Sequence, residues 1–425
     1  MIDQSLRFCM ITTFYPPYTF GGDGIFVHRL SNELAKRGHH VDVIHSVDAY
    51  RLLAHGEPKG VYEDHSNVSV HGLQSRFGFL SPLATHQTGA PFFKLAQIQK
   101  ILDKGFDVIH YHNISLVGGP KIMEYGKAIK LYTMHEYWLV CPMHLLFRFN
   151  RAPCRREHCF LCLLAHKRPP QWWRYGGLLQ KAVQNVDAFI HLTNFSRDIH
   201  RQKGLELPYI HLPFFLEEEE DVSPTYEGQP NVPDSQEPYF LFVGRLEKVK
   251  GLQTLIPVFR RYGKAHLLIA GVGGSYAHLR KLAQGCSNIR FLGHLPYGGL
   301  KELYMRALAL IVPSLYYEIS PLVMIEAFRH RTPVIARNLG GMTEIINESR
   351  GGLLYDNEEG LVSAMDQLLI NPTYRNVLGQ RGFESYKQKW TAEAHLNGYF
   401  RLIAHIAQKG GVPFKFSFRQ EGETI

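Results

Sequence analysis

Apolar runs alternate with amphipathic stretches along this chain, and the alternation occurs in two blocks. Arg7–Thr13 (RFCMITT) begins polar and then runs apolar, as a strand buried on both faces does. A loop with Pro16, Pro17, Gly21, Gly22 and Gly24 follows. Ile25–Lys36 then places Phe26, Leu30 and Leu34 at fourfold spacing, the stripe of an amphipathic helix. Gly38 stands where a C-cap belongs, and Val41–His45 reads as the next strand, completing one βαβ unit. Further strands are expected at Val68–Gly72, Val108–Tyr111, Ile129–Met134, Ala188–Leu192 and Tyr209–Leu212.

The pattern breaks at residues 213–237, which hold four prolines, eight acids and neither Lys nor Arg, and which read as a linker. It restarts with strands at Tyr239–Val243, His266–Ala270, Ile289–Leu292, Leu308–Val312 and Pro333–Ala336. Helices are expected between them at Leu252–Phe259, His278–Gln284, Gly299–Arg306 and Pro321–Arg329. A short helical turn at Thr343–Ile346 and helices at Leu361–Leu369 and Tyr374–Tyr386 follow. Such repetition implies α/β architecture with parallel sheets covered on both faces, and ligands at the carboxyl ends of the strands. The expected organisation is a first domain over 1–212, a linker over 213–237, a second domain over 238–390, and a C-terminal helix and tail over 391–425 packing back on the first.

A chain of 425 residues exceeds one ordinary core, and 45% hydrophobic with 20% charged residues excludes a disordered chain. The net charge of +9 is carried by both lobes, with the acidic strip between them. That distribution suits an anionic ligand held between lobes; a nucleic acid or an anionic membrane face fits the sign equally. No apolar run reaches the roughly 18–20 residues of a spanning helix, and Met1–Met10 lacks the apolar core of an export signal. A cytoplasmic protein is expected.

Chemistry concentrates in the second half. Phe242-Val243-Gly244-Arg245-Leu246 with Lys250-Gly251 reads as strand, turn and helix start, bringing two cations within reach of a diphosphate. Gly271 and Gly273 follow the strand HLLIA, where backbone can approach a phosphate or ribose. In Glu318-Ile-Ser320-Pro321-Leu322-Val323-Met-Ile-Glu326, one carboxylate precedes a helix and the other stands about 7–8 Å along it, while Leu322 and Val323 offer unpaired N–H groups. These residues could equally form a basic loop, an exposed glutamate and a helix-dipole glutamate.

In order and spacing, FVGRL…KG at 242–251, the paired glutamates at 318–326 and Gly340-Gly341 with Glu344 resemble the retaining glycosyltransferases of family 4, which have the GT-B fold. The resemblance extends to Gly21-Gly22, Arg37-Gly38-His39, Asp107-Val-Ile-His110-Tyr-His112 and Met134-His135-Glu136, and so covers essentially the whole chain. It implies two Rossmann-like domains facing across a cleft and transfer from a UDP- or GDP-sugar to a glycan or lipid-linked acceptor with no catalytic metal. Arg245 and Lys250 would bind the diphosphate, Glu318 the donor sugar, and Glu326 the ribose. Gly21, Gly22 and Gly244 would approach the phosphates, and His135 would stand near the reacting sugar. Ile319-Ser320 departs from the usual Gly-Phe or Phe-Gly of the family.

Cys141, Cys154, Cys159 and Cys162 crowd 22 residues of a basic stretch expected to be an insertion over about 141–175. Their spacing admits structural zinc, an iron–sulfur cluster, reduced thiols or disulfides. Arg148, Arg151, Arg155, Arg156, Lys167, Arg168 and Arg174, with Trp172, Trp173 and Tyr175, suit contact with an anionic membrane; a solvated loop is the plain alternative. Competing functions are a sugar-nucleotide epimerase, an inverting transferase, or a zinc-stabilised nucleic-acid-binding protein. The last leaves the motifs of the second half without a role.

Overall fold

The computed structural model describes residues 5–54, 56–58, 60–155, 158–217, 237–295 and 297–410. The first sheet contains β1 (Arg7–Ile11), β2 (His40–Ser46), β3 (Val68–Leu73), β4 (Val108–Tyr111), β5 (Ile129–Thr133), β8 (Ala188–His191) and β9 (Tyr209–His211). The two-residue strands β6 (Phe147–Arg148) and β7 (Ala152–Pro153) form a separate antiparallel hairpin in the insertion. The second sheet contains β10 (Tyr239–Val243), β11 (His266–Ala270), β12 (Ile289–Gly293), β13 (Leu310–Val312), β14 (Val334–Arg337) and β15 (Gly352–Tyr355).

Strand order is β3-β2-β1-β4-β5-β8-β9 in the first sheet and β12-β11-β10-β13-β14-β15 in the second. Neighbours in both sheets run parallel, from Phe8 opposite Val41 and Val108 to Leu310 opposite Val334. Strands such as AFIH in β8 are buried throughout because helices cover both faces. The order reverses between β1 and β4 and again between β10 and β13, so each sheet opens a crevice at its carboxyl edge there.

The second half differs from the sequence expectation after β14. The helical turn expected at Thr343–Ile346 extends to a nine-residue helix, Gly341–Ser349, and β15 was not anticipated. Met342, Ile345 and Ile346 form the buried stripe of this helix, and β15 is a four-residue edge strand. In the first half, helices at Val47–Leu53, Leu80–Thr88, Leu95–Leu102, Leu178–Val183 and Asn194–Gln202 were likewise not anticipated. The acidic run lies outside the described residues apart from Glu217 and Glu237.

The helix Ala392–Lys409 belongs in sequence to the second half but packs on the first sheet. Its Tyr399 hydroxyl lies 2.9 Å from His110 Nδ1, and the Tyr399 ring stacks on Phe8 at 6.2 Å. His395 Nδ1 bonds the Pro213 carbonyl at 2.7 Å, and the Leu216 N–H donates to Trp390 O at 2.9 Å. Phe214, Phe215 and Leu216, with this helix, carry one continuous buried cluster from β1 and β4 to β13 and β14.

Tyr399→Phe leaves His110 Nδ1 without its hydroxyl partner in a dry core. The variant is expected to lose about 1–3 kcal/mol of stability, the usual cost of stranding a buried polar group. Urea unfolding checks this, and an unchanged midpoint would contradict it.

Candidate functional site

Glu318 is a carboxylate only 6% exposed, and the loops around it are built to keep it charged. It lies past the end of β13, where Ser314 Oγ donates to Oε1 at 2.8 Å and the Tyr316 hydroxyl donates to Oε2 at 2.6 Å. Lys250 Nζ donates to Oε1 at 2.6 Å from the loop that follows β10. Burial alone pushes this carboxyl up; Lys250 and the two hydroxyls overcome that and hold it below the ordinary carboxylate range. The loops must touch for this to happen. Gly251 has φ +79°, and a Cβ on it would lie 1.9 Å from Pro313 O. The Gly341 N–H donates to Glu318 O at 2.8 Å, and a Cβ there would lie 1.9 Å from Ile319 O.

The other residues of the second lobe surround this network. Arg245 is exposed, and its charge offsets part of the upward push that burial and Glu318 exert on the Tyr316 hydroxyl. Gly271 packs against Gly244 and Gly273 against Leu246, close enough that side chains there would strike backbone. The helix Leu322–Arg329 begins with Pro321 as N-cap rather than as its first helical residue. Ser320 is half-buried beside it. Glu326, on that helix, accepts from the Tyr304 hydroxyl at 2.9 Å. Burial pushes its carboxyl above the ordinary range, with Tyr304 and Arg29 opposing.

The first lobe closes over these groups. A Cβ on Gly22 would lie 3.3 Å from Leu322 Cδ1, which brings Gly21-Gly22 to the start of the Glu326 helix. His135, past the end of β5, has Nε2 2.8 Å from His112 Nδ1 and stacks on Phe214 at 5.4 Å. Burial lowers its pKa to about 4, Asp23 opposing, so the imidazole is neutral at pH 7. Asp23 in turn accepts from Asn113 Nδ2 at 3.1 Å. The Tyr137 hydroxyl is buried with no hydrogen-bond partner among the described residues, and the Glu318 charge adds to the upward push of burial on it. Across the lobes, Glu344 accepts from the backbone N–H groups of Asn194 and Phe195 at 2.7 and 2.8 Å, and Phe195 meets Tyr317 at 5.3 Å.

The structure thus brings Lys250, Glu318 and the start of the Glu326 helix together, with Gly22 over that helix. The sequence reading did not single out Ser314, Tyr316, Tyr304, Tyr137 or His112 as site residues. Tyr316 stands two residues before Glu318 and could have been noticed; Tyr304 lies 22 residues before Glu326 and leaves no local signal.

The cysteine reading is corrected. Among the described residues, no group of three or more His, Cys, Asp or Glu is arranged to hold a metal ion, and none of the six cysteines is in a disulfide. Burial pushes the Cys141 thiol up, while N–H groups of Leu146 and Met143 bond it. Cys162 Sγ accepts from the Phe149 N–H at 3.4 Å. The zinc expected at Cys141, Cys154, Cys159 and Cys162 is therefore not supported. Arg174 is also not part of a basic surface. It lies inward over the Trp173 ring at 4.3 Å, donating to Leu139 O and Trp138 O at 3.1 and 2.5 Å, and burial lowers its pKa to about 10. Arg156 and Glu157 lie outside the described residues.

Residues 20–211 match the family described as Glycosyltransferase Family 4, and residues 227–385 match Glycosyl transferases group 1. The glycogen synthase of Mycobacterium tuberculosis is 32% identical over 414 residues, 91% of each chain. The O-antigen chain mannosyltransferase C of Escherichia coli is 26% identical over 408 residues, 93% of this chain and 97% of that one. Among solved structures, the sucrose-phosphate synthase of Thermosynechococcus elongatus superposes with a TM-score of 0.71 at 22% identity, covering 95% of this chain and 100% of that one. The fold is the GT-B arrangement of two Rossmann-like domains.

Lys250→Met should make stability depend on pH in the opposite sense to the native pair. In the native protein the folded pKa of Glu318 lies below its unfolded value, so its contribution is present above the ordinary carboxylate range and is lost as pH falls through the folded value. Without the cation, burial dominates and the folded pKa rises above the unfolded one. The carboxylate then destabilises at neutral pH, and acid relieves it. A loss of about 3 kcal/mol at pH 7.5, narrowing by pH 5, is expected from urea unfolding at the two pH values. A gap that stays constant or widens would contradict this account.

Proposed function

The chain belongs to glycosyltransferase family 4, the glycosyl transferases group 1, and on that premise we propose how it handles its donor and acceptor. The enzyme transfers a hexose from a nucleotide sugar in glycan biosynthesis. In our reading, residues 1–212 form the acceptor lobe, 213–237 a linker, 238–390 the donor lobe, and 391–425 a closing helix and tail. The donor is a UDP- or GDP-sugar whose diphosphate lies at Arg245 and Lys250, with Gly21, Gly22, Gly244, Gly271 and Gly273 close to it. Glu326 takes a ribose hydroxyl. Glu318 takes a hydroxyl of the donor sugar, with Ser320, Pro321, Leu322 and Val323 lining the helix start.

The observation that carries this reading is the Lys250–Glu318–Tyr316–Ser314 network at the point where strand order reverses in the second sheet. A departing diphosphate gains negative charge, so fixed cations there bind the transition state more tightly than the ground state. His135, being neutral, offers a hydrogen bond to a sugar hydroxyl at no electrostatic cost to the donor. The acceptor attacks from the face the diphosphate leaves, and the leaving phosphate takes its proton. The anomeric configuration is thereby retained, and the protein's task is positioning and charge stabilisation, with no metal required. The acceptor is a glycan or a lipid-linked glycan, reached from the cytoplasm with peripheral membrane contact. The epimerase and nucleic-acid readings have no support among the relatives.

Arg245→Ala is expected to lower turnover about tenfold to a thousandfold, the scale of losing one charge-stabilising donor. Wild-type rates would remove Arg245 from the donor site. Proton NMR of the fresh linkage, recorded before mutarotation, should show the donor's own anomer. The opposite anomer would exclude same-face transfer.

A further inference from the structure

Large apolar side chains that remain more than half exposed are not spread evenly. Phe79 (58%), Phe92 (65%), Leu161 (58%), Leu164 (52%), Trp172 (58%) and Tyr175 (65%) all come from two segments, 77–93 and 160–175. The others, such as Val61, Met305 and Ile370, stand singly, as is ordinary on a protein surface. The fold joins the two segments. Trp173 Nε1 donates to His86 O at 3.0 Å, His86 Nε2 lies 3.1 Å from Pro169 O, and a Cβ on Gly89 would lie 2.8 Å from Trp173.

The charge of this region is as unusual as its apolarity. Residues 65–102 contain no Asp or Glu, and residues 137–186 contain only Glu157. Arg76, Arg151, Arg155, Lys167 and Arg168 are exposed there. Lys94 is not part of this face, being fully buried 3.6 Å from Asp48.

We propose that this joined surface docks the first lobe on an anionic phospholipid bilayer. Aromatic and leucine side chains enter the boundary between headgroups and chains while the cations meet lipid phosphates. Carboxylates would be repelled by such a surface wherever they stood, which accounts for their depletion from two segments distant in sequence and adjacent in space. A second copy of the chain fits poorly, because a two-fold contact here would set cations against cations. The insertion starts six residues after His135, so docking holds the acceptor side of the cleft towards the membrane. This deepens the lipid-linked acceptor reading of the proposed function and rests on it only for the purpose of docking.

Flotation of the full chain with vesicles of phosphatidylglycerol and phosphatidylcholine, against phosphatidylcholine alone, tests the surface. Binding to the anionic vesicles should be about tenfold stronger or more and should weaken with salt. Lys167→Glu with Arg168→Glu should lower it by about fivefold or more per position. Phe79→Ser with Phe92→Ser, and Trp172→Ser with Tyr175→Ser, should lower it on both vesicle types while thermal melting stays near wild type. Equal binding to neutral and anionic vesicles, no binding, undiminished binding of the serine variants, or a stable dimer lost in those variants would each overturn the proposal. Transfer to a water-soluble acceptor, measured in parallel, separates the two readings. Transfer without vesicle binding rejects the docking surface, and vesicle binding without transfer from any nucleotide sugar rejects the catalytic one.

Discussion

A buried negative charge at Glu318 sets the conditions that much of the second lobe meets. Taking a carboxylate out of water costs several kcal/mol unless a cation and hydrogen-bond donors replace the solvent. Lys250, Ser314 and Tyr316 do so from two different loops, and both loops then have to lie in contact. Gly251 against Pro313 is where that contact leaves no room for a side chain, and Gly341, at the start of the helix after β14, presses equally close on Ile319. The same closeness holds a cation and a carboxylate ready at the mouth of the crevice between β10 and β13. A network whose groups satisfy one another within the protein is rigid, which suits the positioning role proposed for it.

The two lobes are held face to face by polar contacts at the cleft and by apolar packing behind it. At the cleft, the Glu344 carboxylate occupies the N-terminal backbone of the helix Asn194–Gln202, where helix N–H groups favour negative charge. Behind it, Phe214 and Phe215 pack with Phe26 and His395, and the helix Ala392–Lys409 returns to the first sheet. The last described helix therefore packs on the first lobe, where its Tyr399 meets His110 of β4, whose ring lies 4.0 Å from that of His112.

The insertion holds most of the unusual backbone among the described residues. Five of the seven non-glycine residues described with positive φ fall in it: His144, Leu146, Phe149, Asn150 and Lys167. Such backbone costs free energy and persists only where surroundings hold it. Arg174, stacked between Trp138 and Trp173 and bonded to two carbonyls, supplies much of that hold. Its charge serves the interior of the insertion, while Arg151, Arg155, Lys167 and Arg168 stay exposed.

Periodicity and motif spacing alone determined the two α/β blocks and most of their strands, and singled out the cations and carboxylates of the second half. These are legible because a strand buried on both faces must be apolar throughout, and because Arg245 and Lys250 lie close together after one strand and Glu318 and Glu326 close together after another. Tertiary structure decided what depends on contacts between distant segments. It paired Lys250 with Glu318 and Tyr304 with Glu326, and it set Tyr399 of the helix Ala392–Lys409 against His110 of the first sheet. It also turned Arg174 inward, and it gave two of the four clustered cysteines backbone N–H groups as partners. Spacing shows which side chains are available, but the partner of a buried charge or thiol is whichever group the packed chain brings within about 3 Å, and separations of 68 or 289 residues leave no trace in local pattern.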